Sequence, residues 1–416
     1  MIHLALGRLE LDWGKNNGFN DHSPLFQESD VADVPYYYAG DELAEPASDG
    51  SRWQIITEHK EGLSKPLPQV MERLHLLGYS KAYARKEFEY LLRMHEFVGS
   101  GVSYDMLERA LTSIDLKNMS ADYGEGGEDF GKFFRREIAP KLDLAKLVGH
   151  GYQDFDLGYA MENLTPYSVL HLVANNPTAM SLSVNWQFND LAENGWAKRS
   201  DFVCPLAPVN KFLIVTEGSS DAHIIRHAFK LLRPHISDFF DYVDMQEGYP
   251  FTGTGNVFRF VQGLISISVQ NNVIVLYDND AEGTASFQRT QELNVPENMR
   301  ILRLPNLPAF SKFSTQGPNG HAMADINGRA AAIECYLDLG PSPSVRWTSY
   351  SPKIDAYQGE LVGKEQYTRE FLKQRERLSG YNYEGIEAVL DMIVATCASM
   401  KETARIAELA QFAGPD

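Results

Sequence analysis

Between Lys211 and Arg303 the hydrophobic pattern is at its most regular. An apolar run, FLIVT (212–216), breaks off at Glu217, and a second, VIVLY (273–277), breaks off at Asp278. Short β-branched runs bounded by turn residues read as strands buried on both faces. The spacing predicts strands over 212–216, 239–245, 273–277 and 300–304. Helices are predicted over about 219–232, 255–268 and 282–293. Strands alternating with helices of this length make βαβ units and a parallel sheet. The expected fold class is α/β, with a central Rossmann-like domain.

The flanks are patterned differently. Leu9, Leu11 and Trp13 alternate as in a strand, and GKNNGFNDHS then reads as a turn-rich loop. Residues 40–52 read as a small-residue, acidic loop. From 66 to 113 apolar residues recur at helical spacing, with Gly78 as a stop. Further helices are expected over 106–116 and 128–148, around the loop MSADYGEGGED. TPYSVLHLVANNP reads as a helix ended by its Asn-Asn-Pro breaker. Cys204 to Pro208 reads as a linker. Beyond the central domain, Ser314–Gly320 reads as a loop and Gly328–Leu339 as a helix; after Trp347 comes YSPKIDAYQGELVGKEQYTREFL, then two mostly helical stretches to about residue 411. The chain thus divides into a mainly α region (1–204), an α/β domain (205–340) and a helical C-terminal extension (341–416), with no internal repeat.

Composition narrows the class. At 416 residues with 44% hydrophobic and 23% charged residues, the chain suits two or three globular domains. No apolar run reaches the ~18 residues of a membrane span, and the N-terminus lacks the basic flank of a secretory signal. Cys204, Cys335 and Cys397 are too scattered for a metal knot or a disulfide framework, which suits a reducing cytoplasm. The net charge of −18 argues against a large nucleic-acid-coating surface. Residues 1–204 hold 19 Lys+Arg against 31 Asp+Glu, and the remainder 19 against 25. Any nucleic-acid contact must therefore come from a focused basic strip, for which Arg259, Lys312 and Arg329 are the candidates.

The acids after the two apolar runs carry the chemistry. Glu217 is followed by Gly218, which permits a sharp turn, and by Ser219 and Ser220, either of which can cap a helix. Asp221 falls in the first turn of that helix. Asp278 and Asp280, two apart on an extended backbone, share a side, and Gly283 allows close approach at the next turn. Sites in open parallel sheets form at the carboxyl ends of the strands. Carboxylates gathered there are costly without a cation among them. All-oxygen ligands suit Mg²⁺ or Mn²⁺ rather than Zn²⁺.

EGSSD after one strand and DND after a later one resemble the two signature motifs of the TOPRIM domain, over about residues 211–304. That fold is shared by topoisomerases, bacterial primases, recombination mediators and OLD-type nucleases. The whole chain is also similar to bacterial proteins in which a HEPN/TOPRIM-associated N-terminal module (here LDWGKNN…DHSPLFQ) precedes a TOPRIM domain, an architecture tied to conflict systems and anti-phage defence. The resemblance implies a metal-dependent nuclease acting on DNA or RNA, with two ions. Glu217 would be ligand or general base, Asp278 and Asp280 ligands, and Asp221 a support for the second ion. OLD-type enzymes also use a later acid and a lysine, for which Glu334 and Lys364 are the candidates, with Asp325 competing with Glu334. No GxxxxGK[ST] sequence is present, so any ATPase would be a partner protein. The acidic N-terminal module suits docking or self-association.

Other readings stay open. A non-catalytic TOPRIM scaffold would bind nucleic acid or a partner. A receiver- or haloacid-dehalogenase-like phosphotransfer site would need an aspartate where Glu217 stands. A topoisomerase would need a separate tyrosine-bearing domain, and a primase a zinc module. His223 and His227 share a helix face near Glu217, and the glycines of FTGTGN (251–256) suit either a phosphate or a tight turn. Lys15, Asp21 and His22 read as a solvated loop anchoring a strand, and His75 and His95 as structural or solvent-facing. Trp186 and Trp196 read as core or interface residues, with base stacking as the sharper alternative.

Overall fold

The computed structural model describes residues 1–46, 52–95, 101–119, 130–142, 154–243, 254–352 and 355–413. They form two compact units, Met1–Leu206 with Lys401–Asp416, and Ala207–Met400.

The first unit corrects the expectation of a mainly helical N-terminal region. Strands β1 (Ile2–Leu6), β2 (Leu9–Gly14), β3 (Val31–Glu42), β4 (Trp53–Pro66) and β5 (Ser183–Gln187) form one antiparallel sheet in the order β2-β1-β5-β4-β3. The β3–β4 hairpin escapes the hydrophobic pattern because β4 is polar (WQIITEHKEGLSKP) and exposes residues on both faces over much of its length. Its buried end, Leu63 and Lys65, lies where β5 pairs with it. Residues 40–42 belong to β3, and 47–51 lie outside the described residues. Helices α1 (Leu67–Leu76), α2 (Lys81–Met94), α3 (Tyr104–Thr112) and α4 (Pro166–Val173) accompany the sheet. Gly78, at φ +88°, ends the first as expected. The loop 119–129 and parts of the helix expected over 128–148 lie largely outside the described residues.

In the second unit β6 (Phe212–Thr216), β7 (Phe240–Tyr242), β8 (Asn272–Tyr277) and β10 (Met299–Arg303) form a parallel sheet in the order β10-β8-β6-β7, with the two-residue β9 (Asn279–Asp280) beyond β8. The connecting helices are α5 (Ser219–Leu232), α6 (Thr254–Ser266) and α7 (Ala281–Gln291). Val215, Val273, Val275 and Tyr277 pack on Val257, Val261 and Leu264 of α6. Ile214 and Ile274, on the other face, are also fully buried. Burial on both faces is why these runs are continuously apolar.

After β10 the chain departs from expectation. Ser314–Gly320 is no loop. β11 (Phe313–Gly317) and β12 (Gly320–Ala324) form a hairpin. Gly328–Leu339 is no helix. Gly328 adopts φ +70°, β13 (Ala330–Ala331) pairs with β9, and one 3₁₀ turn covers Ile333–Tyr336. Tertiary pairing overrides the helix propensity of its alanines. The C-terminal extension begins as strands: β14 (Val345–Ser351) and β15 (Ala356–Leu361) join the sheet β12-β11-β14-β15. Only then come α8 (Lys364–Leu372) and α9 (Glu384–Ala413). No helix among the described residues is long and apolar enough to cross a membrane.

Candidate active site

β6 and β8 are hydrogen-bonded neighbours at the centre of the parallel sheet, so the residues after them meet at its carboxyl edge. After β6 the Thr216 hydroxyl donates to the Gly218 carbonyl (2.8 Å), shaping the turn into α5. The Asp278 N–H donates to Glu217 Oε1 (3.0 Å), tying the two strand ends together. The Ile333 N–H donates to Asp278 Oδ1 (3.0 Å), bringing the turn that bears Glu334 onto the same edge. Asp280 caps α7, its Oδ1 accepting from the Gly283 N–H (2.7 Å). Among the described residues, the second carboxylate oxygens of Glu217 and Asp278 accept no hydrogen bond. Asp221 is spent differently: it accepts from the Gly218 N–H (3.0 Å) on Oδ2 and from the Ser220 hydroxyl (3.1 Å) on Oδ1.

The electrostatics record the crowding. Burial, then Asp280, Asp221 and Glu282, push the Glu217 carboxyl up to about 8, against the pull of the Asp278 N–H. Asp221 is pushed up to about 6 by burial and then by Glu334, while Gly218, Ser220 and Lys364 pull it back. Asp278 is held well above the carboxylate range by burial, then Asp221, Glu217, Asp280 and Glu334, and Asp280 is raised chiefly by burial. Like charges desolvated together behave this way when no cation neutralises them.

Glu334 is 7% exposed and Lys364 is exposed, and both line an open cavity of about 560 Å³ with Ser220, Thr368, Arg369 and Lys373. Lys364 is the first residue of α8, following Gly363 at φ +78°. A cation at a helix N-terminus is unfavourable by itself, and the nearby Asp221 offsets it. Asp325 is exposed and accepts from the Asn327 backbone and side-chain N–H groups (2.9 Å each), a local turn. The structure therefore brings Glu217, Asp221, Asp278, Asp280, Glu334 and Lys364 together and leaves Asp325 aside.

The three candidates for a basic strip are all exposed. Arg259 and Lys312 are exposed, with no hydrogen bond or ion pair to an acid among the described residues. The backbone of Arg329 pairs with Asp280, and its carbonyl accepts from the Ala281 N–H (3.2 Å). His227 sets its ring edge-on against Phe371 of α8 (5.0 Å), and burial lowers its basicity, so it props the helix that carries Lys364. His223 is partly buried on the same helix as His227. Residues 251–253 of FTGTGN lie outside the described residues, and Thr254 opens α6.

Asn279 is a site residue that sequence reasoning missed. Flanked by the two acids, it points to the opposite side and is fully buried. Its amide donates to Asn306 Oδ1 (3.0 Å) and its Oδ1 accepts from the Gly328 N–H (2.9 Å). It staples the segments around 306 and 328 beneath the site, and the period-two alternation of DND was the available signal.

A family model described as HEPN/Toprim N-terminal domain 1 matches residues 1–209, about half of the chain. The chain belongs to this family. No curated protein and no solved structure matches it. Within the HEPN/Toprim N-terminal domain the polar motif residues build structure. His22 is 3% exposed; its Nε2 pairs with Asp12 (2.8 Å) and its Nδ1 with the Tyr167 hydroxyl (3.1 Å). The ring stands edge-on to Trp186, which is 1% exposed and also contacts Phe26 and Phe202. Trp186 of this domain is thus core, whereas Trp196 is 51% exposed. His75 is exposed and lies beside His171 (5.5 Å), and His95 is half-buried and edge-on to Tyr159.

Proposed function

We propose that this HEPN/Toprim N-terminal domain protein is a divalent-metal-dependent phosphodiesterase acting on nucleic acid, with a TOPRIM-like arrangement in residues 207–340. The observation that carries this reading is the meeting of Glu217, Asp278, Asp280 and Glu334 at the edge of a parallel sheet, beside the exposed Lys364. The donor set fits Mg²⁺ or Mn²⁺ in charge and hardness. Among the described residues no three ligand-type side chains already converge on one point. Closure would follow from turning the free oxygens of Glu217 and Asp278 inward. Two bound ions would supply Lewis-acid activation of water and of the phosphate. Asp221, both of whose oxygens are engaged, would support Glu217 through the α5 turn. Lys364 would offset the charge gathering on the phosphate oxygens.

The incomplete convergence also fits a scaffold that binds nucleic acid or a partner protein without cutting. Incubation of the purified protein with plasmid, single-stranded DNA and tRNA in Mg²⁺, Mn²⁺ or EDTA separates the two. Metal-dependent cleavage that is lost in Asp278→Ala supports the enzyme; equal behaviour of the two proteins, or no cleavage under any metal, removes it. We further propose, on the resemblance to conflict-system architectures, that the protein acts in the cytoplasm as an effector of anti-phage defence, with any ATPase or sensor supplied in trans.

A further inference from the structure

The sheet that follows the site presents an aromatic strip. β14 and β15 pair from Val345↔Leu361 at the buried root, through Trp347↔Gly359, to Tyr350↔Tyr357 at the exposed end. Trp347 and Tyr350 are three apart and would face opposite ways in a regular strand. An extra residue between Trp347 and Ser349 shifts the register and returns Tyr350 to the face of Trp347. The indole lies across two glycines: a Cβ at Gly359 would meet its Cε3 at 3.0 Å, and one at Gly317 its Cδ1 at 3.4 Å. Tyr350 and Tyr357 are 49% and 59% exposed, their rings 5.5 Å apart.

We infer that this strip is a stacking platform for the bases of single-stranded nucleic acid that runs into the acidic site. The inference rests on the phosphodiesterase reading and deepens it by naming the substrate class. Three observations select the occupant. First, β15 packs against β13, the strand paired with Asp280, and leads through Gly363 to Lys364. Four strand residues at ~3.3 Å each separate Tyr357 from Leu361, about 13 Å, a reach of a few nucleotides. Second, the cavity beside Lys364 is lined by three cations, Lys364, Arg369 and Lys373, none in an ion pair among the described residues, against two acids, Glu334 and Glu365, so cations outnumber acids where phosphates would enter. Third, two neighbours of the indole, Gly317 and Gly359, are glycines, which carry no side chain to build the pockets that anchor a protein partner. Stacking needs exposed base faces, which a duplex withholds.

The test is fluorescence anisotropy of the full chain in Ca²⁺. The probes are oligothymidylate and oligouridylate of about 12 nucleotides, inside the ~4–16 that single-strand grooves cover, and a duplex of equal length. The native chain is expected to bind the single strands at least tenfold more tightly than the duplex. Tyr350→Ala/Tyr357→Ala is expected to lose tenfold or more on single strands and nothing on the duplex, a selective loss that misfolding would not give. Trp347→Phe is expected to retain most of the preference. Equal affinity of the native chain for both forms overturns the inference. So does an unaltered preference in the double variant, or a change of its oligomeric state with single-strand affinity intact, which would make the strip a contact between copies. Cleavage abolished by Asp278→Ala with normal single-strand binding by the tyrosine variant sinks the platform and spares the enzyme. Selective loss of binding without metal-dependent cleavage does the reverse.

Discussion

At the residue scale the site is held in tension by its own charges. Glu217 titrates at about 8 when folded, against 4.5 for a solvated glutamate, the value that stands for the unfolded chain. The folded chain holds this proton more tightly, so the contribution to stability is complete below pH 4.5 and lost as pH rises through about 8. The metal-free protein should therefore melt lower near pH 8.5 than near pH 6. Glu217→Gln, which cannot ionise, should flatten that slope and raise the melting point at the alkaline end by a few degrees. Melting curves in EDTA across this range check it, and parallel slopes in both proteins would show that Glu217 does not carry the effect. Gly283 bears on the same site by close approach. A Cβ there would meet the Asp278 carbonyl oxygen at 2.3 Å and Glu217 Oε1 at 2.9 Å. Gly283→Ala should cost about 1–3 kcal/mol by overpacking and separate the two strand ends. Urea denaturation reads the cost, and an unshifted midpoint would mean that the turn relaxes freely.

At the element scale, what was legible in the sequence was what is local. β6 and β8 are continuous β-branched runs because both faces are buried, and each ends at an acid, so the pattern alone located Glu217 and Asp278. The β14–β15 hairpin was missed because its period is broken by the register shift near Thr348 and its exposed positions mix Tyr with Ser and Thr. The pattern over Gly328–Leu339 predicts a helix, yet Ala330 and Ala331 pair with Asp280 and Asn279 across some fifty residues of chain. Such pairing leaves no periodic mark. Asn279 is the hinge of that arrangement. Asn279→Ala should strip the Gly328 N–H of its buried acceptor and cost about 2–3 kcal/mol. Hydrogen exchange should then rise selectively around 306–308 and 327–330. Uniform loss of protection would point to general destabilisation instead.

At the scale of the whole molecule the chain crosses between its units and returns. Residues 401–413, the last turns of α9, belong to the compact unit of the HEPN/Toprim N-terminal domain, although the family match ends at 209. Arg405 explains how. Its Nε–H donates to the Leu77 carbonyl (3.3 Å) and its guanidinium lies 4.9 Å over the Tyr79 ring, at the open end of α1. A Cβ at Gly78 would meet the Lys401 carbonyl oxygen at 2.5 Å, so the glycine that stops α1 also admits the returning helix. A free C-terminal carbonyl and an aromatic face are thus both satisfied from more than three hundred residues away, which no local pattern announces. Cutting the chain after Met400 should consequently weaken the N-terminal unit. Faster proteolysis and hydrogen exchange are expected over 74–94, with little change in β6 and β8. Arg405→Ala should reproduce part of this, about 1 kcal/mol from the lost cation–π contact and hydrogen bond. If the chain ending at Met400 keeps full protection over 74–94, the returning helix is a passenger, and the boundary at 209 marks a unit complete in itself.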